Sequence, residues 1–139
     1  MKKIDFLKEK IRHIDIKSFD STSIINNMRE MSFTSRETAQ AADIFEQMVH
    51  DKESTNILTL AGSTSAGGCM QVYVDMVKHN MIDVIVATGA SIVDMDFFEA
   101  LGFNHYKGNQ FVKDKELRHH YVDRIYDTFI DEDELQVCD

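Results

Sequence analysis

Apolar residues recur along this chain either every three to four positions or in short unbroken runs, and the switches between the two patterns mark its elements. Near the start Ile4, Leu7 and Ile11 fall at i, i+3 and i+7, the stripe of a short amphipathic helix with its lysines turned to water. Ile14 and Ile16 alternate about Asp15, which predicts a short extended segment. Asp20-Ser21-Thr22-Ser23 offers several capping oxygens for a helix over about Thr22 to Met31, with Ile24, Ile25, Met28 and Met31 along one side. Thr34-Ser35-Arg36-Glu37 has the spacing of a capping box and opens a long helix to about His50, whose Ala42, Phe45, Met48 and Val49 are spaced to cover a sheet.

The stretch from Asn56 to Gly102 changes pattern. Ile57-Leu58-Thr59-Leu60 reads as a strand, 61–68 as a turn of small residues, and Met70 to His79 as a helix with Met70, Tyr73, Val74 and Val77 on one face. Asp83-Val84-Ile85-Val86 is a second strand, rich in β-branched residues as expected when both faces are covered, and Ala87-Thr88-Gly89-Ala90-Ser91 is a second small turn. Phe97, Phe98 and Leu101 mark a helix that stops at Gly102. Strand, helix and strand in this order predict a βαβ unit, with an anion or nucleotide site where the strands end.

Beyond it, Phe103 to Lys113 reads as loop, and Asp114 caps a helix carrying Leu117, Tyr121 and Ile125. Asp131-Glu132-Asp133-Glu134 places carboxylates in the first turn of a new helix, where they favour its dipole, and Leu135 and Val137 begin its apolar face. A helix that opens there predicts a continuation past Asp139; the alternative is an acidic tail. Internal repeats and low-complexity tracts are absent, and so is proline.

Composition narrows the function classes. The 139 residues suit one domain, and 43% hydrophobic with 28% charged is globular rather than disordered. A net charge of −9 without a basic, aromatic-interleaved block argues against nucleic acid as partner. No apolar run is long enough to span a bilayer, and no signal-like apolar region follows Met1-Lys2-Lys3, so the expectation is a soluble cytoplasmic protein without a membrane partner. Cys69 and Cys138 lie far apart with no CxxC spacing, which fits a reducing compartment.

The candidate chemistry sits in the two turns. Gly62-Ser63-Thr64-Ser65-Ala66-Gly67-Gly68 lacks the lysine of a P-loop and the spacing of G-x-G-x-x-G, yet its small residues let backbone approach a pyrophosphate and its hydroxyls can donate. A tight strand-to-helix connection would use the same residues. Thr88-Gly89-Ala90-Ser91 is a second such turn, and Asp94 and Asp96 after it are candidates for a ribose hydroxyl or an amine, or simply favourable helix N-terminal charges. His105, Tyr106, His119 and His120 show no metal-ligand spacing and read as loop and helix-surface residues. Cys69 reads as a structural thiol, and no Ser-His-Asp or Cys-His arrangement can be assigned.

At these turns the sequence resembles the deoxyhypusine synthase family, in particular its bacterial-type deoxyhypusine synthase-like members. The residues that carry the resemblance are Ile14-Asp15 with Ser18-Phe19-Asp20, the helix from Arg36-Glu37 to Met48, Leu60-Ala61-Gly62-Ser63, Val86 through Asp94, Glu99-Ala100-Leu101-Gly102 with His105-Tyr106, and Arg124-Ile125-Tyr126-Asp127-Thr128. It covers nearly the whole chain but less than half of the family's, its N-terminal part.

The resemblance implies an NAD-dependent aminobutyl transferase acting on a polyamine such as spermidine. It also implies a doubly wound, Rossmann-like parallel sheet with helices on both faces, incomplete in this chain, and subunits that pair around the active sites. NAD-contacting positions then fall on Ser63, Thr64, Ser65 and Ala66 in the first turn and Thr88, Gly89 and Ala90 in the second, with Asp94 in place of an acid touching cofactor or polyamine. Val93-Asp94 stands where synthases carry two adjacent acids. The family's catalytic lysine lies in its C-terminal half, so 1–139 is expected to be the N-terminal part of one NAD-binding domain, inactive alone. A homo-oligomer, or pairing with a C-terminal half or a full-length paralogue, is the implied partnership, as the exposed edge of an incomplete sheet also demands. The alternatives are a non-catalytic regulatory subunit and a generic nucleotide-binding module.

Overall fold

The computed structural model of the chain describes residues 2–138, which cluster into two compact units. One comprises residues 15–58 and 74–85; the other comprises 2–14, 59–73 and 86–138.

In the first of these, Asp20 accepts the Thr22 N–H at 2.8 Å and opens helix α1 (Thr22–Arg29), which packs on α2 (Phe33–His50) with Arg29 paired to Asp43. The expected capping box does not form. Helix α2 begins at Phe33, no side chain caps it, and the Thr34 carbonyl instead accepts the Thr38 hydroxyl at 2.7 Å. Strand β1 (Ile57–Leu60), helix α3 (Met70–Lys78) and strand β2 (Val84–Ala87), whose residues are shared between the two units, follow as the βαβ pattern predicts. Asn56 O accepts from Val84 N–H and Leu60 O from Thr88 N–H, a register that rises along both strands and makes the pair parallel.

Buried Asn56 organises the start of that pair. Its amide donates to the carbonyls of Met48 and Met81, and its own N–H is taken by Asp83 at 2.8 Å, so the backbone groups freed where α2 ends are satisfied internally. Phe45 and Met48 of α2 and Ile57 and Leu58 of β1 line an apolar cleft with Met76 and Ile82. Strand β2, expected to be covered on both faces, is not. Val84, Ile85 and Val86 are 41%, 43% and 55% exposed, and among the described residues β2 pairs in its sheet with β1 alone.

The other unit differs most from expectation. Residues 2–14 form a single 3-10 turn, Lys3–Asp5, in place of the amphipathic helix; Ile4 is exposed and Phe6 is the buried anchor. From Glu9 onward the segment is extended, with Lys10 bridged antiparallel to Tyr106, so its backbone finds partners there instead of within a helix. The second turn is itself helical from Gly89: α4 (Gly89–Ser91), a wide π turn (Ile92–Phe97) and α5 (Phe98–Ala100) run on continuously and end at Gly102, whose φ of +97° favours glycine and whose N–H reaches Glu99 O.

The stretch 103–113 holds strand β3 (Tyr106–Lys107), and the helix expected through Ile125 stops early. Helix α6 (Asp114–His119) gives way at Tyr121, with φ +53°, to β4 (Val122–Ile125) and β5 (Thr128–Asp131), joined by a tight turn at Tyr126-Asp127. These strands make an antiparallel sheet in the order β3-β5-β4, pairing Tyr106 with Phe129 and Val122 with Asp131. Its inner face closes a core of Phe6, Leu117, Val122 and Phe129, bordered by Leu7, Tyr106 and Val112. The last helix, α7 (Glu132–Leu135), starts where the acidic run predicts: Asp131 accepts from the N–H groups of Asp133 and Glu134. The chain is thus a mixed α/β protein with a small parallel sheet and a separate antiparallel one.

Candidate functional site

The two small-residue turns follow the same ends of β1 and β2, as the parallel pairing requires, and they meet. Ser91 Oγ donates to Ala61 O at 3.2 Å, and a Cβ placed on Gly62 would stand 3.6 Å from Ala90 Cβ and 3.8 Å from Thr88 Oγ1. The first turn is stiffened by Gly67 N–H to Ser63 O at 2.9 Å and Cys69 N–H to Thr64 O at 3.1 Å. Ser63 sits at φ +78°, a conformation costing a non-glycine residue on the order of 1–2 kcal/mol that persists only where its surroundings impose it.

Among the residues predicted from sequence, Thr64, Thr88, Gly89 and Ala90 are exposed and Ser63 is half-exposed. Ser65 and Ala66 are buried, and Ser65 Oγ has no hydrogen-bond partner among the described residues. Asp94 lies half-buried in the π turn that continues the second turn, and Cys69 is a free, half-buried thiol. A Cβ on Gly67 or on Gly89 would meet nothing within 4 Å. Open space therefore faces the backbone of both turns. This suits an extended anionic group approached by main-chain N–H donors, with Thr64 and Thr88 hydroxyls at its edge.

Sequence reasoning missed a partly buried cluster beside the first turn. Glu99 accepts from His13 Nε2 at 2.5 Å with one carboxylate oxygen and from His105 Nδ1 at 2.6 Å with the other. Burial alone would raise the Glu99 carboxyl, yet the two imidazole hydrogen bonds outweigh it and hold the group below its usual value. His105 is buried with its ring edge-on to Phe98. The three residues come from positions 13, 99 and 105, and no spacing motif could have flagged them. In the other unit, buried Asp75 accepts from Lys17 Nζ at 2.8 Å, which raises the lysine above its usual value. No group of three or more His, Cys, Asp or Glu among the described residues is placed to hold a metal ion, and none of their helices is long and apolar enough to cross a membrane.

The family model of deoxyhypusine synthase matches residues 23–139. The chain belongs to the deoxyhypusine synthase family. Among curated members of that family it is 62% identical over 133 residues to a deoxyhypusine synthase-like protein of Coxiella burnetii and 62% identical over 137 residues to one of Caulobacter vibrioides. A probable deoxyhypusine synthase of Methanosarcina thermophila is 38% identical over 99 residues, 71% of this chain and 31% of its own length. The alignments with the Coxiella and Caulobacter proteins take in 96% and 99% of this chain but 38% and 37% of theirs. The chain thus spans under two fifths of their length.

Proposed function

We propose that this chain supplies the NAD-contacting turns of a deoxyhypusine synthase-like aminobutyl transferase whose amine donor is a polyamine. The observation that carries the reading is the meeting of two glycine-containing, hydroxyl-rich turns at the same ends of two parallel strands, the place where open α/β sheets bind nucleotides. Ser63, Thr64, Ser65 and Ala66 from one turn and Thr88, Gly89 and Ala90 from the other would hold NAD, with Asp94 at the ribose or amine end. When bound, NAD supplies the hydride acceptor for oxidation of the amine. The chain's part is to fix the pyrophosphate with backbone N–H groups and keep the nicotinamide end oriented, while its net charge of −9 attracts a polycation.

The doubly wound sheet belongs to the same reading. Exposed Val84, Ile85 and Val86 support its completion by another polypeptide, either the remaining portion of a longer protein or a partner subunit bearing the reactive lysine. The same exposure favours a second reading, a non-catalytic subunit that docks on a full-length paralogue. Cys69 and Cys138, far apart in the sequence and without a CxxC spacing, suit the cytoplasm as the place of action.

Titration with NADH tests the proposal directly, because the chain has no tryptophan and the cofactor's own emission can be followed. Saturable binding is expected, weakened about tenfold by Gly89→Val, whose side chain would fill the open space over the second turn, a loss of about 1.4 kcal/mol. Binding of ADP as tight as that of NADH would favour a generic nucleotide module, and no saturable binding would refute the proposal.

A further inference from the structure

Residues 9–14 are held along the unit by more than their side chains. Lys107 N–H donates to Glu9 O at 2.7 Å, Ile11 N–H to His105 O at 2.8 Å and Ile14 N–H to Gly68 O at 2.9 Å, while Lys107 also pairs with the Glu9 carboxylate. Where this strap crosses the first turn the fit is close. Gly68 stands at φ +102°, and a Cβ there would lie 3.0 Å from Arg12 O and 3.8 Å from Ile11 Cγ2. Gly68 is therefore clasped: its carbonyl receives Ile14 N–H and its bare Cα lies under the Arg12 carbonyl. Between Arg12 and Ile14 stands His13, whose ring is bonded to Glu99, and Glu99 in turn holds His105, whose carbonyl receives Ile11 N–H.

We propose that residues 9–14 are a brace that sets the first turn in its cofactor-ready shape, and that Glu99 and His13 are positioning residues that lock this brace. The inference rests on reading 63–68 as a cofactor cradle, and the geometry supplies the rest. Gly68 stands two residues before Met70, the first residue of α3, so its position aims the backbone N–H groups that open the helix. A two-pronged carboxylate holds an imidazole with each oxygen, so displacing His13 leaves one acceptor oxygen of the half-buried Glu99 unpaired as well as freeing the strap. His13 and Glu99 act through Arg12 and Ile14, the residues that touch Gly68.

The test uses the 139-residue chain with His13→Ala and His13→Gln, the latter retaining a side-chain donor for Glu99. Amide hydrogen exchange at Gly67 and Cys69 reports the first turn, and exchange at Phe129 and Ile130 reports β5, one strand beyond the Lys10–Tyr106 bridge. In His13→Ala, exchange at Gly67 and Cys69 is expected to quicken about tenfold, with Phe129 and Ile130 unchanged, and NADH affinity to fall by a similar factor. His13→Gln should restore both to within about twofold. Unchanged exchange at the turn, or an equal rise at all four amides, overturns the brace. If the wild type does not bind NADH, the cofactor reading fails and the exchange pattern alone decides the brace.

Discussion

Gly67 and Gly68 are adjacent, yet alanine at the two positions should act in opposite directions. At Gly68 the backbone is left-handed, which costs an L residue about 1–2 kcal/mol. The new Cβ would also stand 3.0 Å from the Arg12 carbonyl oxygen, a backbone atom that cannot swing away, and such overpacking adds about 1 kcal/mol. Gly68→Ala should therefore cost about 2–3 kcal/mol, the sum of the two terms. Gly67 lies in the same turn with no left-handed φ, and its Cβ would meet nothing within 4 Å. Gly67→Ala should stabilise by about 0.4–1 kcal/mol, because the unfolded chain loses freedom and the folded one loses nothing.

Thermal unfolding followed by far-UV circular dichroism reads both changes. At roughly 3 °C per kcal/mol for a chain of this size, Gly68→Ala should lower Tm by about 6–9 °C and Gly67→Ala raise it by about 1–3 °C. Function separates the pair again, since a methyl group over the Gly67 backbone blocks the approach of a pyrophosphate. The more stable variant should bind NADH more weakly than the wild type. Shifts of the same sign, or Gly68→Ala melting at or above the wild-type temperature, would refute the clasped geometry of the turn.

Two further substitutions probe the same unit. The Glu99 carboxyl titrates below its usual 4.5 in the folded chain, so its contribution to stability is complete above that pH and is lost as pH falls through the folded value; urea midpoints measured from neutral pH downward should drop less steeply in Glu99→Gln, and an unaltered acid limb would contradict this. At Gly108 a Cβ would fall 2.5 Å from the Phe129 ring in the centre of the core, so Gly108→Ala should cost about 1–3 kcal/mol, read as a lowered Tm, and an unchanged melt would show that the ring gives way.

The central βαβ unit was legible because each of its elements carries a single period. Ile57 to Leu60, the face of Met70, Tyr73, Val74 and Val77, and Val84 to Val86 leave no competing reading, and the structure places strand, helix and strand within a residue or two. Leu117, Tyr121 and Ile125 misled because i, i+4, i+8 also fits a helix that ends and a strand that begins. The break needs Tyr121 in a left-handed conformation, which no periodicity encodes, and the strand is defined by its pairing with β5. The N-terminal segment failed in the same way: Ile4, Leu7 and Ile11 have helical spacing, but Phe6 is the residue the core takes. Both turns of the candidate site were visible as glycine and hydroxyl clusters. The Glu99 cluster was not, since residues brought together across 86 positions leave no local trace.

The core of Phe6, Leu117, Val122 and Phe129 also sets an order of assembly on the ribosome. Phe6 leaves the exit tunnel before its ring contacts, His120 and Phe129, and Lys3 waits for Asp131 and Asp133. Lys3 and Phe6 are thus synthesised more than a hundred positions before these partners, and must wait for them meanwhile. Contacts of such long sequence separation slow folding and leave apolar segments open to capture in transit. α1 and α2, adjacent in sequence and packed on each other, can form as they emerge. The vulnerable interval in this protein's biogenesis is therefore the wait between the emergence of Phe6 and the arrival of Phe129.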